Sequence, residues 1–159
     1  MLLIVWHSRT GASEAAAKAA FDGAILEGPC RLARADETSA AEMLEATGYL
    51  FCCPENLGTM SGVMKEFFDV NYYPLLGRIE GRAYSTIIAA GSDGTGAQRQ
   101  IDRIATGWRL RRVSDPLVIC TYAQTPDAIL STKCVESDAL RECHNLGQAL
   151  CGGLALGVF

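Results

Sequence analysis

Five short apolar runs, each too brief for a helix, alternate with longer stretches in which apolar residues recur three and four apart. The runs are Leu2 to Trp6, Cys30 to Arg34, Tyr49 to Cys53, Tyr84 to Ala90 and Leu117 to Cys120. This alternation constrains the fold more than any other feature. Strand–helix–strand units joined by right-handed crossovers build an open, doubly wound parallel sheet with helices on both faces. Several runs are apolar throughout, as strands covered on both faces are.

Five helices are expected between and after the strands. Ser39-Ala40-Ala41-Glu42 has capping-box spacing and opens the second. In the fourth, Ala97, Ile101, Ile104, Ala105 and Trp108 share one face, while Arg99, Gln100, Asp102 and Arg103 point away. The last runs from about Ser137 to Leu154 through Leu140, Cys143 and Leu150. With no linker or repeat, residues 1–159 form one α/β domain, and 49% hydrophobic residues supply its core.

Charge and cysteine usage narrow the function classes. A net charge of -4 lacks the surplus of Lys and Arg that phosphate-backbone binding needs, so nucleic acid is not an expected partner. The N-terminal apolar run is too short for a signal sequence or a membrane span, so a cytoplasmic protein without membrane association is expected. Seven scattered cysteines, with no CxxC pair, point to reduced and mostly buried thiols and to no metal site.

In a doubly wound sheet, ligands bind beyond the carboxyl ends of the strands, where strand order reverses. Three loops therefore carry the argument. After the first strand, Ser8, Arg9, Thr10, Gly11, Ala12 and Ser13 set hydroxyls and helix-end amides around one point. That environment suits a phosphate monoester, although an ordinary helix cap explains the residues equally well. The lysine of GxxxxGK[ST] is missing, so the loop is no nucleoside-triphosphate site, and GxGxxG is missing too.

After the third strand, Pro54 is expected to stop the strand. Glu55, Asn56, Leu57 and Gly58 then form a tight loop, and Thr59 or Ser61 caps the next helix. After the fourth strand, Gly91, Ser92, Asp93, Gly94 and Gly96 belong to a glycine-rich loop in which backbone approaches a ligand or simply turns.

The stretches PENLGTMSGVMKEFFD (Pro54 to Asp69) and AAGSDGTGAQRQ (Ala89 to Gln100) resemble the NAD(P)H-dependent FMN reductases and the flavodoxin-like NAD(P)H:quinone oxidoreductases. The loop after the first strand looks more like the flavodoxin phosphate loop. The whole chain resembles the flavodoxin-like fold, which implies a single-domain five-stranded parallel sheet of order 2-1-3-4-5. It also implies FMN as cofactor, a fold-level placement for which flavodoxin is itself a standard example.

By this resemblance, Ser8 to Ser13 meet the FMN phosphate, Pro54 to Gly58 line the flavin ring, and Gly91, Ser92, Asp93, Gly94 and Gly96 close its other side. NAD(P)H is the implied reductant and a quinone or similar small molecule the acceptor. The chemistry resides in the flavin, so no side chain is assigned a catalytic role. A homodimer or homotetramer is implied, in which Tyr72 and Tyr73 offer an aromatic to a neighbouring site, against helix-end packing as the alternative. Two rival functions share this fold: an electron carrier without its own NAD(P)H activity, and a flavin-free interaction module.

Plain readings stand beside the functional ones. Glu55 is a solvated or loop-bracing carboxylate, or it tunes the flavin. Arg9 pairs with phosphate or faces solvent. His7 is read as structural over catalytic, Cys52 and Cys53 as buried packing over a vicinal redox pair, and Arg109, Arg111 and Arg112 form a solvated strand entrance or attract a cofactor phosphate.

Overall fold

The computed structural model describes residues 1–159. The chain runs β1 (Leu2–Trp6), α1 (Ala12–Ala24), β2 (Cys30–Arg34), α2 (Ala40–Glu45), β3 (Gly48–Asn56), β4 (Thr59–Met60) and α3 (Gly62–Leu75). It continues through β5 (Ala83–Ala90), α4 (Thr95–Gly107), β6 (Arg111–Arg112), β7 (Leu117–Cys120), α5 (Pro126–Leu130) and α6 (Ser137–Leu156).

The sheet follows the order β2-β1-β3-β5, with β6 and β7 both pairing along the far edge of β5. All pairings are parallel except that of β4 with β3. The five expected strands are therefore present in the expected order, with two refinements. The fifth, Leu117 to Cys120, forms β7 as expected, and an additional two-residue strand, β6, precedes it, set apart by a stretch that ends in Pro116, which cannot donate to a ladder. The third does not stop at Pro54 but continues to Asn56 and pairs with β4. Pro54 lies beyond the last residue of β1 in register, Trp6 opposite Cys52, so its missing N–H costs no bond to that strand.

Burial explains the uniformly apolar runs. β1, β5 and the first six residues of β3 are wholly buried. One face packs an aromatic layer in which Phe51 meets Phe67, Phe68 and Tyr84, and Phe68 meets Trp108. The other face carries small residues: Ala16, Ala17, Ala20 and Ala24 of α1 pack with Cys143, Leu150 and Cys151 of α6. A Cβ on Gly147 would overlap the Ala20 carbonyl, so only glycine permits this approach of the two helices.

The capping box forms as expected, with the Glu42 carboxylate accepting from the Ser39 amide at 2.7 Å. The other end of α2 has a distant partner: the Arg82 guanidinium donates to the carbonyls of Met43 and Leu44, each at 3.0 Å. Those are carbonyls that a helix end leaves without partners.

Two details of α4 and its neighbours depart from expectation. Gln100 and Asp102 do not simply face solvent. Gln100 accepts from the Met60 amide at 2.8 Å, and Asp102 accepts from Tyr84, Gln98 and Arg112 at 2.8, 2.8 and 2.9 Å. The short helix α5 was not expected, because none of its five residues is buried and it shows no apolar period. No helix is long and apolar enough to cross a membrane.

Candidate functional site

Parallel pairing places the carboxyl ends of β1, β3, β5 and β7 along one edge, and a cleft opens there. Ser8, Thr10, Ala12 and Ser13 line it after β1, and Pro54, Glu55 and Asn56 line it at the end of β3. Ala89, Ala90 and Gly91 contribute from the end of β5. The three expected loops thus meet. A fourth, after β7, adds Thr121, Ala123, Ile129 and Lys133, none of them singled out from the sequence. Thr125 followed by Pro126, a capping residue before an N1 proline, was the available signal.

The loop after β1 is built to leave donors free. Gly11 takes φ 98°, a left-handed angle suited to glycine, and caps α1 without any side-chain cap bond. Its amide donates to Ser8 Oγ at 3.0 Å. The first helical bond runs from the Ala15 amide to the Gly11 carbonyl, so the amides of Ala12, Ser13 and Glu14 precede the ladder. Ser13 Oγ is buried and has no hydrogen-bond partner, the one such side-chain atom in the chain. A buried hydroxyl left unpaired is costly, and here it lines a cleft at the positive end of a helix. An uncapped helix start beside an unpaired hydroxyl is an arrangement that suits an anion.

The N-terminus of α4 is arranged in the opposite way. Gly94 caps it with φ 77° and no side-chain cap bond of its own. Glu55 reaches across from β3 and accepts from the Gly94 amide at 3.2 Å and the Ala97 amide at 2.9 Å. Asp93 accepts from the Thr95 amide, and the bonds from Thr95 hold the Asp93 carboxyl below the usual carboxylate range. This end is closed by the chain's own anions. Glu55 is accordingly a brace between two loops.

The β3–β4 hairpin seals that brace. Its turn residues, Leu57 and Gly58, both take left-handed angles, φ 53° and 74°, as a tight two-residue hairpin requires. A Cβ on Gly96 would overlap the Gly58 carbonyl, so the hairpin tip rests directly on α4. Leu57 projects fully into solvent.

The other expected site residues lie at the margin. Arg9 is exposed, Ser92 accepts from the Cys120 thiol at 3.2 Å, and Asp93 and Gly94 shape the start of α4. Thr59 belongs to β4, while Ser61 occupies the cap position of α3 but bonds elsewhere: its Oγ lies 2.8 Å from His7 Nδ1. Burial, then the nearby Arg34 charge, lowers the His7 pKa, against an opposing pull from Asp36. A neutral histidine therefore links the end of β1 to the start of α3.

Cys52 and Cys53 are buried, and burial pushes the Cys53 thiol up to about 12, which leaves it inert as a nucleophile. All seven cysteines are free thiols; Cys52, Cys53, Cys143 and Cys151 are buried, and Cys134 is exposed. Tyr72 stacks on Trp108 and accepts its indole N–H at the Tyr72 carbonyl, so it packs a helix end, whereas Tyr73 is exposed. Arg109 and Arg112 pair with Glu80 and Asp102, away from the cleft.

No family model matches the chain. A flavodoxin from Aquifex aeolicus (strain VF5) is 34% identical over 97 residues, which cover 60% of this chain and 52% of that protein. The match thus spans about half the length of this curated relative. Among solved structures, an archaeal flavodoxin superimposes with a TM-score of 0.77 at 18% identity, covering 94% of this chain and 95% of its own. A WrbA-like flavodoxin from Agrobacterium tumefaciens gives 0.79 at 16% identity, over 98% and 97% of the two chains. The apo form of an NADH:FMN oxidoreductase, EmoB, gives 0.66 at 14% identity, over 94% and 87%. The fold is flavodoxin-like.

Two predictions follow from the bonds at this edge. Glu55→Ala removes two charge-assisted bonds and is expected to lower the unfolding free energy by about 2 kcal/mol in urea titrations. Amide exchange at Gly94 and Ala97 should accelerate with it, and unchanged protection would contradict the brace. Because the folded His7 pKa lies below its ordinary 6.5, the unfolded chain binds this proton first as the pH falls. Stability should therefore decline just below pH 6.5, and His7→Gln should flatten that part of the pH profile.

Proposed function

We propose that the chain binds FMN in the cleft and works as a redox protein. The observation that carries this reading is Ser13, a buried hydroxyl without a partner at the uncapped start of α1. A phosphate monoester supplies the missing acceptor and the negative charge that the free amides favour. The residues present fit the group. Thr10, Ser13 and the amides of Ala12 to Glu14 would hold the phosphate. Pro54 to Asn56, with Ala90 and Gly91, would border the ring.

Bound FMN supplies hydride and electron transfer, and the chain's residues bind and orient it. Glu55 holds the two bordering loops together and already occupies the α4 amides. Donors to the ring would therefore come from backbone nearer the strand ends. Among redox roles, we favour reduction by NAD(P)H and delivery to a quinone or similar small acceptor, in line with the resemblance of the loops after β3 and β5. The second reading is an electron carrier serving a protein partner, favoured by the sequence similarity to the Aquifex flavodoxin.

Fluorescence titration of the apoprotein with FMN tests the cofactor. Saturable binding is expected, and its absence would defeat both redox readings. Ser13→Ala should weaken FMN binding about tenfold while stabilising the apoprotein by about 1 kcal/mol, because it deletes an unsatisfied hydroxyl. A variant that loses stability together with affinity would argue that Ser13 is merely structural. Anaerobic mixing of the loaded protein with NAD(P)H separates the two roles: rapid bleaching without a partner reductase is expected for the reductase, and no bleaching identifies the carrier.

A further inference from the structure

The strap between β7 and α6 borders the cleft beside the loop after β1, and Lys133 ties it there. Its backbone amide donates to the Thr10 carbonyl at 2.7 Å, joining the strap to the loop after β1. Its own carbonyl lies 3.7 Å from where a Gly11 Cβ would sit. The Lys133 ammonium donates to the carbonyls of Ala128, Ile129 and Ser131 at 2.6, 2.9 and 2.6 Å, closing the C-terminal end of α5.

Those three carbonyls use the donors of the ammonium but leave its charge unneutralised. Lys133 is half-buried and joins none of the chain's salt bridges. It is the one cationic residue lining the cleft, and it does so beside Thr10 and Ser13, while Arg9 is exposed and outside the lining. A lysine whose ammonium has no carboxylate partner and an unpaired buried hydroxyl thus belong to the lining of one cleft.

We propose that Lys133 is the charge partner of the ligand's phosphate, so that the cleft selects a phosphorylated ligand over its dephosphorylated form. This inference rests on the FMN reading for the identity of the rest of the ligand. On binding, the ammonium exchanges one carbonyl acceptor for a phosphate oxygen, and the strap and the loop after β1 then grip the same group. Lys133 thereby contributes through charge and not through the shape of the cleft.

The test compares FMN with riboflavin, which differ at the phosphate alone, in fluorescence titrations of wild type, Lys133→Met and Lys133→Arg. Lys133→Met is expected to weaken FMN binding about 10- to 100-fold and to leave riboflavin within about twofold. Lys133→Arg should recover most of the loss, and added salt should weaken FMN binding less in Lys133→Met than in wild type. Equal weakening of both flavins would reduce Lys133 to a structural brace, and no weakening of either would overturn the proposal. A wild type that binds neither flavin defeats the cofactor reading instead. Inorganic phosphate then decides for Lys133: a rise in melting temperature in wild type but not in Lys133→Met upholds it, and no rise in wild type overturns it.

Discussion

Everything at the carboxyl edge of the sheet depends on the burial of β1, β3 and β5 on both faces. Strands so covered place few polar groups inside the sheet, and free backbone donors emerge where they end. Because the strands are parallel, four ends share one edge. They do not end level. β1 stops opposite Cys52, whereas β3 and β5 remain in register as far as Pro54 and Ala89. The loop after β1 sits in that step, and the Cys52 thiol donates to the Ser13 carbonyl at 3.2 Å beneath it.

The two helices that start at this edge show how a fold distinguishes a closed helix end from an open one. Both begin on a left-handed glycine without a side-chain cap. At α4, Glu55 and Asp93 supply the anions the helix end favours. At α1 the first-turn Glu14 pairs with Lys18 and accepts none of the leading amides, and Ser13 Oγ is left with nothing to bond. The chain carries a net charge of -4, and among the side chains that line the cleft Lys133 is the cation and Glu55 the anion.

Legibility in the sequence followed the range of the interactions. The capping box of α2 lies within four adjacent residues, so its spacing was readable and its geometry formed as expected. The apolar runs were readable because burial on both faces leaves no alternation to obscure them. Pro54 misled, since whether a proline ends a strand depends on which neighbour its missing N–H would have faced. α5 escaped notice because an exposed five-residue helix has no buried face to leave a period. Glu55 carried two readings until its partners, some forty residues away, were in view.

The sequence by itself determined the fold class, the succession of strands and helices and the three loops at the carboxyl ends of the strands. Those properties follow from local periodicity and from turn and cap chemistry, which act between near neighbours. Only the tertiary structure decided which helix end stays open, that Glu55 braces and that Lys133 enters the cleft. Each of these depends on desolvation and on partners brought together by the sheet. Whether a polar atom is satisfied is a property of its surroundings, and no spacing along the chain encodes it.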